Sequence, residues 1–209
     1  VLVGAGLAPH VSGERLAATL VAFGLAVGVA AHALDELRGR PLRTSIPAAV
    51  LVAAAVVALA AATGLGALGI DRVGWGLAGF MAIGVILVAG YNLELWGGWL
   101  HNDVTFAAAW GAFPVLTAYY AQTGTVTIEA LLAAAFAYGL SHAQRVMSTE
   151  ARHLRRRVVS VEGQRVLSDG TSEAVTRASL LQPIERTLVA LTWSTVALGV
   201  ALVLTRTRS

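Results

Sequence analysis

The sequence contains no cysteine, which excludes disulfides, thiolate catalysis and iron–sulfur clusters. It also contains no lysine, so all fifteen basic residues are arginine. Charge of either sign is scarce. Asp, Glu, Lys and Arg together make up 13% of the residues, where soluble domains carry about 25%. With 56% hydrophobic residues and a mean hydropathy of +0.71, the chain reads as an integral membrane protein. The sequence pI near 9.9 comes from arginines gathered in a few loops. Orientation across a membrane accounts for that bias, and no nucleic-acid partner is expected.

Alanine- and valine-rich runs divide the 209 residues into spans. A bilayer crossing needs about 20 apolar residues. Six stretches approach that length: residues 15–37, 47–69, 76–92, 104–121, 128–147 and 187–204. Residues 1–8 read as part of a further helix whose beginning lies outside the sequence. Gly24 and Gly28 have the small-xxx-small spacing of close helix packing, which alanine- and glycine-rich spans also produce by chance. Pro114 is expected to kink the fourth span. The fold class expected is all-α: a polytopic transmembrane bundle of six full spans plus part of one, with a basic cytoplasmic segment before the last helix. The division is a bundle over residues 1–147, the basic segment over 148–186 and a C-terminal helix over 187–209. Within the basic segment, Ser168-Asp-Gly170 reads as a turn between extended pieces at residues 157–161 and 164–167.

Alternating spans place loops 38–46, 93–103 and 148–186 on one side. Eleven arginines fall there, Arg145 at the edge of the last loop included, and four (Arg15, Arg72, Arg206, Arg208) on the other. The richer side is cytoplasmic by the positive-inside rule, in a bacterial plasma membrane. Arg155-Arg-Arg157 would face anionic headgroups.

Residues 31–43, Ala-His-Ala-Leu-Asp-Glu-Leu-Arg-Gly-Arg-Pro-Leu-Arg, close the first complete span. His32, Asp35 and Glu36 stand at i, i+3 and i+4 and are expected to project from one helix face. Pro41 then ends the helix. Ionisable groups at the end of an apolar span are costly and usually functional; the alternative is a helix terminus with ordinary interfacial charges. The same side collects Glu94, His101, Asp103, His142, Glu150 and His153. Asp35 and Glu36 suit a hard divalent cation such as Mg2+, and the arginines suit phosphate oxygens. A lipid-borne diphosphate would explain a site at a membrane interface. A transition-metal site of His32, Asp35, His142 and His153 is a further alternative. Glu94 and Asp103 flank Trp96 and Trp99, which also fits plain interfacial anchoring.

Three pieces give the chain a likeness to a known family: Asp35 at a helix end, Arg40-Pro-Leu42 after it, and Tyr119-Tyr-Ala-Gln-Thr-Gly124. Together with Tyr91 and Gly111-Ala-Phe-Pro114, they resemble the UbiA family of intramembrane prenyltransferases, particularly its branch acting on dihydroxynaphthoate in menaquinone synthesis. The resemblance covers roughly residues 1–150. It implies that Asp35 and Glu36 are catalytic, that Asp35, Glu36 and Glu150 hold Mg2+, and that Arg38, Arg40, Arg43 and Arg145 hold a polyprenyl diphosphate. It further implies that His32, Tyr91 and Tyr119 line the acceptor or prenyl pocket. The departures are Ala31 and His32 in place of the family's Asn and first Asp, and His142-Ala-Gln-Arg-Val-Met-Ser-Thr-Glu150 in place of its second acidic motif. The function expected is transfer of a polyprenyl group from its diphosphate to an aromatic or other small acceptor. The alternative is a non-catalytic relative that binds a prenyl lipid or a partner.

Overall fold

The computed structural model describes residues 1–207, so Arg208 lies outside the described residues. It is 76% helical. The helices are α1 (Leu2–Gly6), α2 (Gly13–Gly39), α3 (Ala48–Val73, bent after Ala67), α4 (Gly76–Asn92), α5 (Asp103–Thr123), α6 (Ile128–Arg156) and α7 (Arg177–Thr207). Four of them, α2, α3, α5 and α7, are long and apolar enough to cross a membrane. Helix α4 is equally apolar but has 17 residues, about 26 Å at 1.5 Å per residue. Helix α6 is apolar only in its first part.

Start and stop signals act where local chemistry places them. Ser12 caps α2, its Oγ accepting the amide of Arg15, and Asn102 caps α5 through Oδ1 and the amide of Thr105. Gly124 ends α5 at φ +71°, the left-handed turn glycine adopts without strain. Two stretches widen into π-helix, Gly24–Ala31 in α2 and Ala108–Ala112 in α5. The second ends just before Pro114. Proline has no amide to give the carbonyl of Trp110, so the ladder shifts there into a π turn.

The helices form two groups that share α5. Helices α2, α3, α4 and α5 make one; α1, α5, α6 and α7 make the other. Buried positions are mostly small, with Ala30, Ala55, Ala107 and Ala130 at 0–2% exposure, which lets backbones approach closely. Gly111 sits against the backbone of Ala137, where a Cβ would clash. By contrast Gly24 and Gly28 face open space, so their spacing marks no helix contact. Large apolar side chains point outward instead, Val57 and Trp193 being 67% and 68% exposed. An apolar belt of this kind is what a membrane-embedded bundle presents to lipid.

About half of the stretch 148–186 is helical. Helix α6 runs on to Arg156 and α7 begins at Arg177, and the Arg155 guanidinium pairs with Glu185 across them. Between them lies a hairpin, β1 (Gln164–Val166) against β2 (Ser172–Ala174), antiparallel with Arg165 opposite Glu173. The expected turn at Ser168–Gly170 is present, but the strand pairs forward with residues 172–174, not back with 157–161. Asp169 accepts the hydroxyl and amide of Thr171, which hold its carboxyl below the usual carboxylate range.

Candidate functional site

Asp35 and Glu36 are neighbours in sequence and opposites in environment. Successive helix residues point about 100° apart. Glu36 is 2% exposed and turns under the following loop. Its Oε2 accepts the amide of Leu42 at 2.9 Å, and its Oε1 accepts the amide and hydroxyl of Thr44 at 2.7 and 2.8 Å. Both oxygens are thus spent on folding the Arg40-Pro-Leu42 loop. Asp35 is exposed and makes no hydrogen bond or ion pair among the described residues. Its charged neighbours are His32, His101, Arg145 and Glu94. His32, Asp35 and Glu36 therefore do not act as one face, as their spacing suggested.

The groups around Asp35 come from α2, α4, α5 and α6 and from the loop between α4 and α5. Tyr91, near the end of α4, is 4% exposed and its hydroxyl is buried without a partner. The His101 ring stacks on Tyr91 at 4.5 Å, and its Nδ1 donates to the Tyr91 carbonyl at 3.0 Å. His32 does likewise: its Nδ1 donates to the carbonyl of Val27 at 2.9 Å, within the π turn. Because a carbonyl only accepts, both rings carry their proton on Nδ1 and leave Nε2 free. Trp110, in the second π turn, meets Tyr91 edge-on at 5.8 Å. Arg145 of α6 lies 4.8 Å over the Phe106 ring and donates Nε to Asp103 at 3.0 Å. Arg38 and Glu94 form a more exposed pair at 3.1 Å.

An apolar cavity of about 150 Å³ lies between α2, α3, α4 and α5. It begins beside Arg15 at the far end of the bundle and passes Phe23, Met81 and Phe113 to reach Val88 and Trp110. Along α2 it extends from Arg15 to Val27, about 18 Å of helix. Trp110 therefore both borders the cavity and touches Tyr91.

The other expected site residues have different places. Arg40 braces the loop, its Nη1 donating to the carbonyls of Thr44 and Ile46 at 2.8 and 3.1 Å. Arg43 adopts φ +55° and gives its amide to Arg40. Tyr119 lies at the opposite end of α5 from Asp103, its hydroxyl accepting from Thr127 at 3.2 Å, so it is remote from Asp35. Glu150 is 54% exposed and faces His153 on its own helix at 3.8 Å. Among the described residues no three of His, Asp and Glu gather where a metal ion could be held. Asp35, Glu36 and Glu150 do not fit the expected Mg2+ set, nor do His32, Asp35, His142 and His153 fit a transition-metal set. His142 instead stacks on Tyr138, with Nδ1 buried and unpartnered.

Phe106, Trp110 and Arg152 were not singled out from the sequence. Their signal was spacing: Phe106 and Trp110 stand at i and i+4, and Arg145 and Arg152 two turns apart on α6. Comparison with protein-family models, curated proteins and solved structures returned no match.

Proposed function

We propose that this protein binds an isoprenoid lipid within the membrane, the tail in the cavity between α2 and α5 and the polar head beside Asp35, Tyr91 and Arg145. The observation that carries this reading is the position of Trp110, which both lines the apolar cavity and touches Tyr91 of the polar cluster. An amphipathic molecule needs both environments side by side, and an apolar pocket with a few convergent polar groups is the usual form of a ligand site. The same reading has α4 and the first part of α6 crossing the bilayer as well, six crossings in all, with the Asp35 end cytoplasmic. In this it is a non-catalytic relative of the UbiA prenyltransferases, which it resembles at Arg40–Leu42 and Tyr119–Gly124. The test is binding of geranylgeraniol to the purified protein in nanodiscs, followed by tryptophan fluorescence. Saturable binding that Trp110→Ala weakens about tenfold is expected; binding that Trp110→Ala leaves unchanged, or none, overturns the reading.

One observation favours the catalytic alternative, transfer of the polyprenyl group to an aromatic acceptor: the Asp35 carboxylate makes no bond among the described residues and has His32 and His101 among its neighbours. It would take the proton that the acceptor loses as the new carbon–carbon bond forms and the diphosphate departs. Isotope transfer from a labelled polyprenyl diphosphate checks this, and product formation surviving Asp35→Asn would exclude that role.

A further inference from the structure

We infer that a second cavity, between α5, α6 and α7, is a site for an uncharged lipid with hydroxyl and carbonyl groups at one end of a single alkyl chain, as in a monoacylglycerol. It is separate from the site beside Asp35, and the inference stands independently of what that site binds.

Helix α7 is fastened at two places. At one, Glu185 pairs with the Arg155 guanidinium of α6, in the stretch where Ala151 and Leu154 of α6 are buried. At the other, α1 is wedged so closely that a Cβ on Gly199 would clash with Leu2, and one on Gly6 with Leu202. Glu185 and Gly199 lie about 21 Å apart along the helix. Between these contacts is a cavity of about 460 Å³, lined by α6 and α7 and by Trp110, Pro114 and Val115 of α5.

The lining is graded. Nearer the Arg155 contact stand Ser141 and Gln144 of α6 with Thr192, Ser194 and Thr195 of α7; nearer α1 stand Phe136, Val196 and Leu198. Gln144 precedes Arg145, whose bond to Asp103 belongs to the Asp35 end of the bundle. The polar half of the cavity therefore lies toward that end and the apolar half toward the middle of the helices. Thr192 and Thr195 give their hydroxyl protons to the carbonyls of Leu188 and Leu191 at 2.9 and 2.8 Å, which leaves both oxygens able to accept. The side chains of Ser141, Gln144 and Ser194 make no hydrogen bond among the described residues. Polar groups left without partners in hydrocarbon are costly. No ionisable side chain lines the cavity, so it offers nothing to neutralise a charged head. An amide and four hydroxyls do match the hydroxyls and ester carbonyl of a neutral glycerol head, since they can both donate and accept. A transmembrane helix fits less well, because its backbone groups are already bonded within it. Trp110 lines this cavity as well as the first, so the two share one wall.

The experiment uses the purified full chain in nanodiscs and a monooleoylglycerol that carries a diazirine on its chain. Light-induced adducts, mapped by peptide mass spectrometry, are expected to saturate and to gather around Phe136 and Leu198. Ser194→Phe, which fills the cavity from an exposed position, and Gln144→Leu, which removes the amide at similar size, should each lower those adducts about fivefold at unchanged melting temperature. Unlabelled monooleoylglycerol should compete, while octadecene, which has no polar end, and geranylgeraniol should not. Adducts spread evenly over the outward faces of the helices mark ordinary surrounding lipid and overturn the inference, as do adducts that survive both variants. Equal competition by octadecene shows that the polar lining reads nothing, and displacement by geranylgeraniol shows a single shared site; either overturns it. Ser194→Cys supplies the only thiol of the chain, and disulfide-linked dimers of that variant in membranes would give the cavity to a second copy instead.

Discussion

At the end of the bundle where α2 starts and α5 finishes, polar groups answer one another. The amide of Ser12 donates to Gln122 Oε1 at 2.8 Å, Arg15 donates to the carbonyls of Gln122 and Arg72, and Arg72 pairs with Glu14 at 2.7 Å. At the other end, among the described residues, Asp35 has no bonded partner, the Tyr91 hydroxyl is buried unpaired and half of the Arg145 fork is open. Both ends draw on α2 and α5, and each carries arginine and carboxylate side chains. One spends its polar groups on closing loops, and the other keeps several in reserve. Unsatisfied polar groups cost stability, a cost that the proposed ligand would recover at the open end. The pair Asp35 and Glu36 repeats the contrast within two residues.

The sharpest way to break this contrast is at Glu36. Glu36→Ala would leave the amides of Leu42 and Thr44 and the Thr44 hydroxyl without their buried acceptor. A loss of roughly 3 kcal/mol is expected, read as a lowered melting temperature in detergent, whereas Asp35→Asn should change stability by under about 0.5 kcal/mol while altering ligand binding. Equal destabilisation by the two would mean that the pair shares one role.

Next in size is Gln122 at the satisfied end. Gln122→Ala removes the acceptor for Ser12 and should cost about 1 kcal/mol, with no change in lipid affinity. At the open end Tyr91→Phe should do the reverse. Deleting an unpartnered hydroxyl is neutral or stabilising by up to about 1 kcal/mol, yet weakens binding of geranylgeraniol. If Tyr91→Phe destabilises as Gln122→Ala does, its hydroxyl serves the fold and the contrast between the ends is lost.

Much of this plan can be read from the residues themselves. Apolar runs of bilayer length locate the helices, and the arginine asymmetry separates the same two sets of loops that the ion pairs Arg38–Glu94 and Arg72–Glu14 join within opposite ends. Asp35 stands out because it ends an apolar run. What periodicity does not carry is the use of each group. Glu36 shares a helical face with His32 by spacing, but whether it turns to the loop depends on where Leu42 and Thr44 fold back. The π turns that seat Trp110 and His32 are register shifts, and they leave no mark in the hydrophobic pattern beyond Pro114. Helix α6 continues through Ser148–Arg156 because Ala151 and Leu154 still bury one face, although the polarity there suggested a loop. Tyr119 belongs to a recognisable string but sits at the far end of α5.

The smallest expected effect concerns the Arg38–Glu94 pair, which lies at the open end but has the character of the closed one. Both side chains are exposed, at 55% and 39%, and the pair is 3.1 Å across. Exposed pairs contribute about 0.2–1 kcal/mol and are screened by salt, so Arg38→Gln should lower stability by no more than that at low ionic strength and by less in 0.5 M salt. Its consequence for binding is small as well. Glu94 is a charged neighbour of Asp35, and freeing it from Arg38 adds an uncompensated negative charge beside the proposed head-group site. An uncharged head feels that charge little, so affinity for geranylgeraniol should fall by less than about twofold in Arg38→Gln, and Arg38→Gln/Glu94→Gln should restore it. If the double variant does not recover, Arg38 touches the head group itself and belongs with Arg145, not with the solvent-facing pairs.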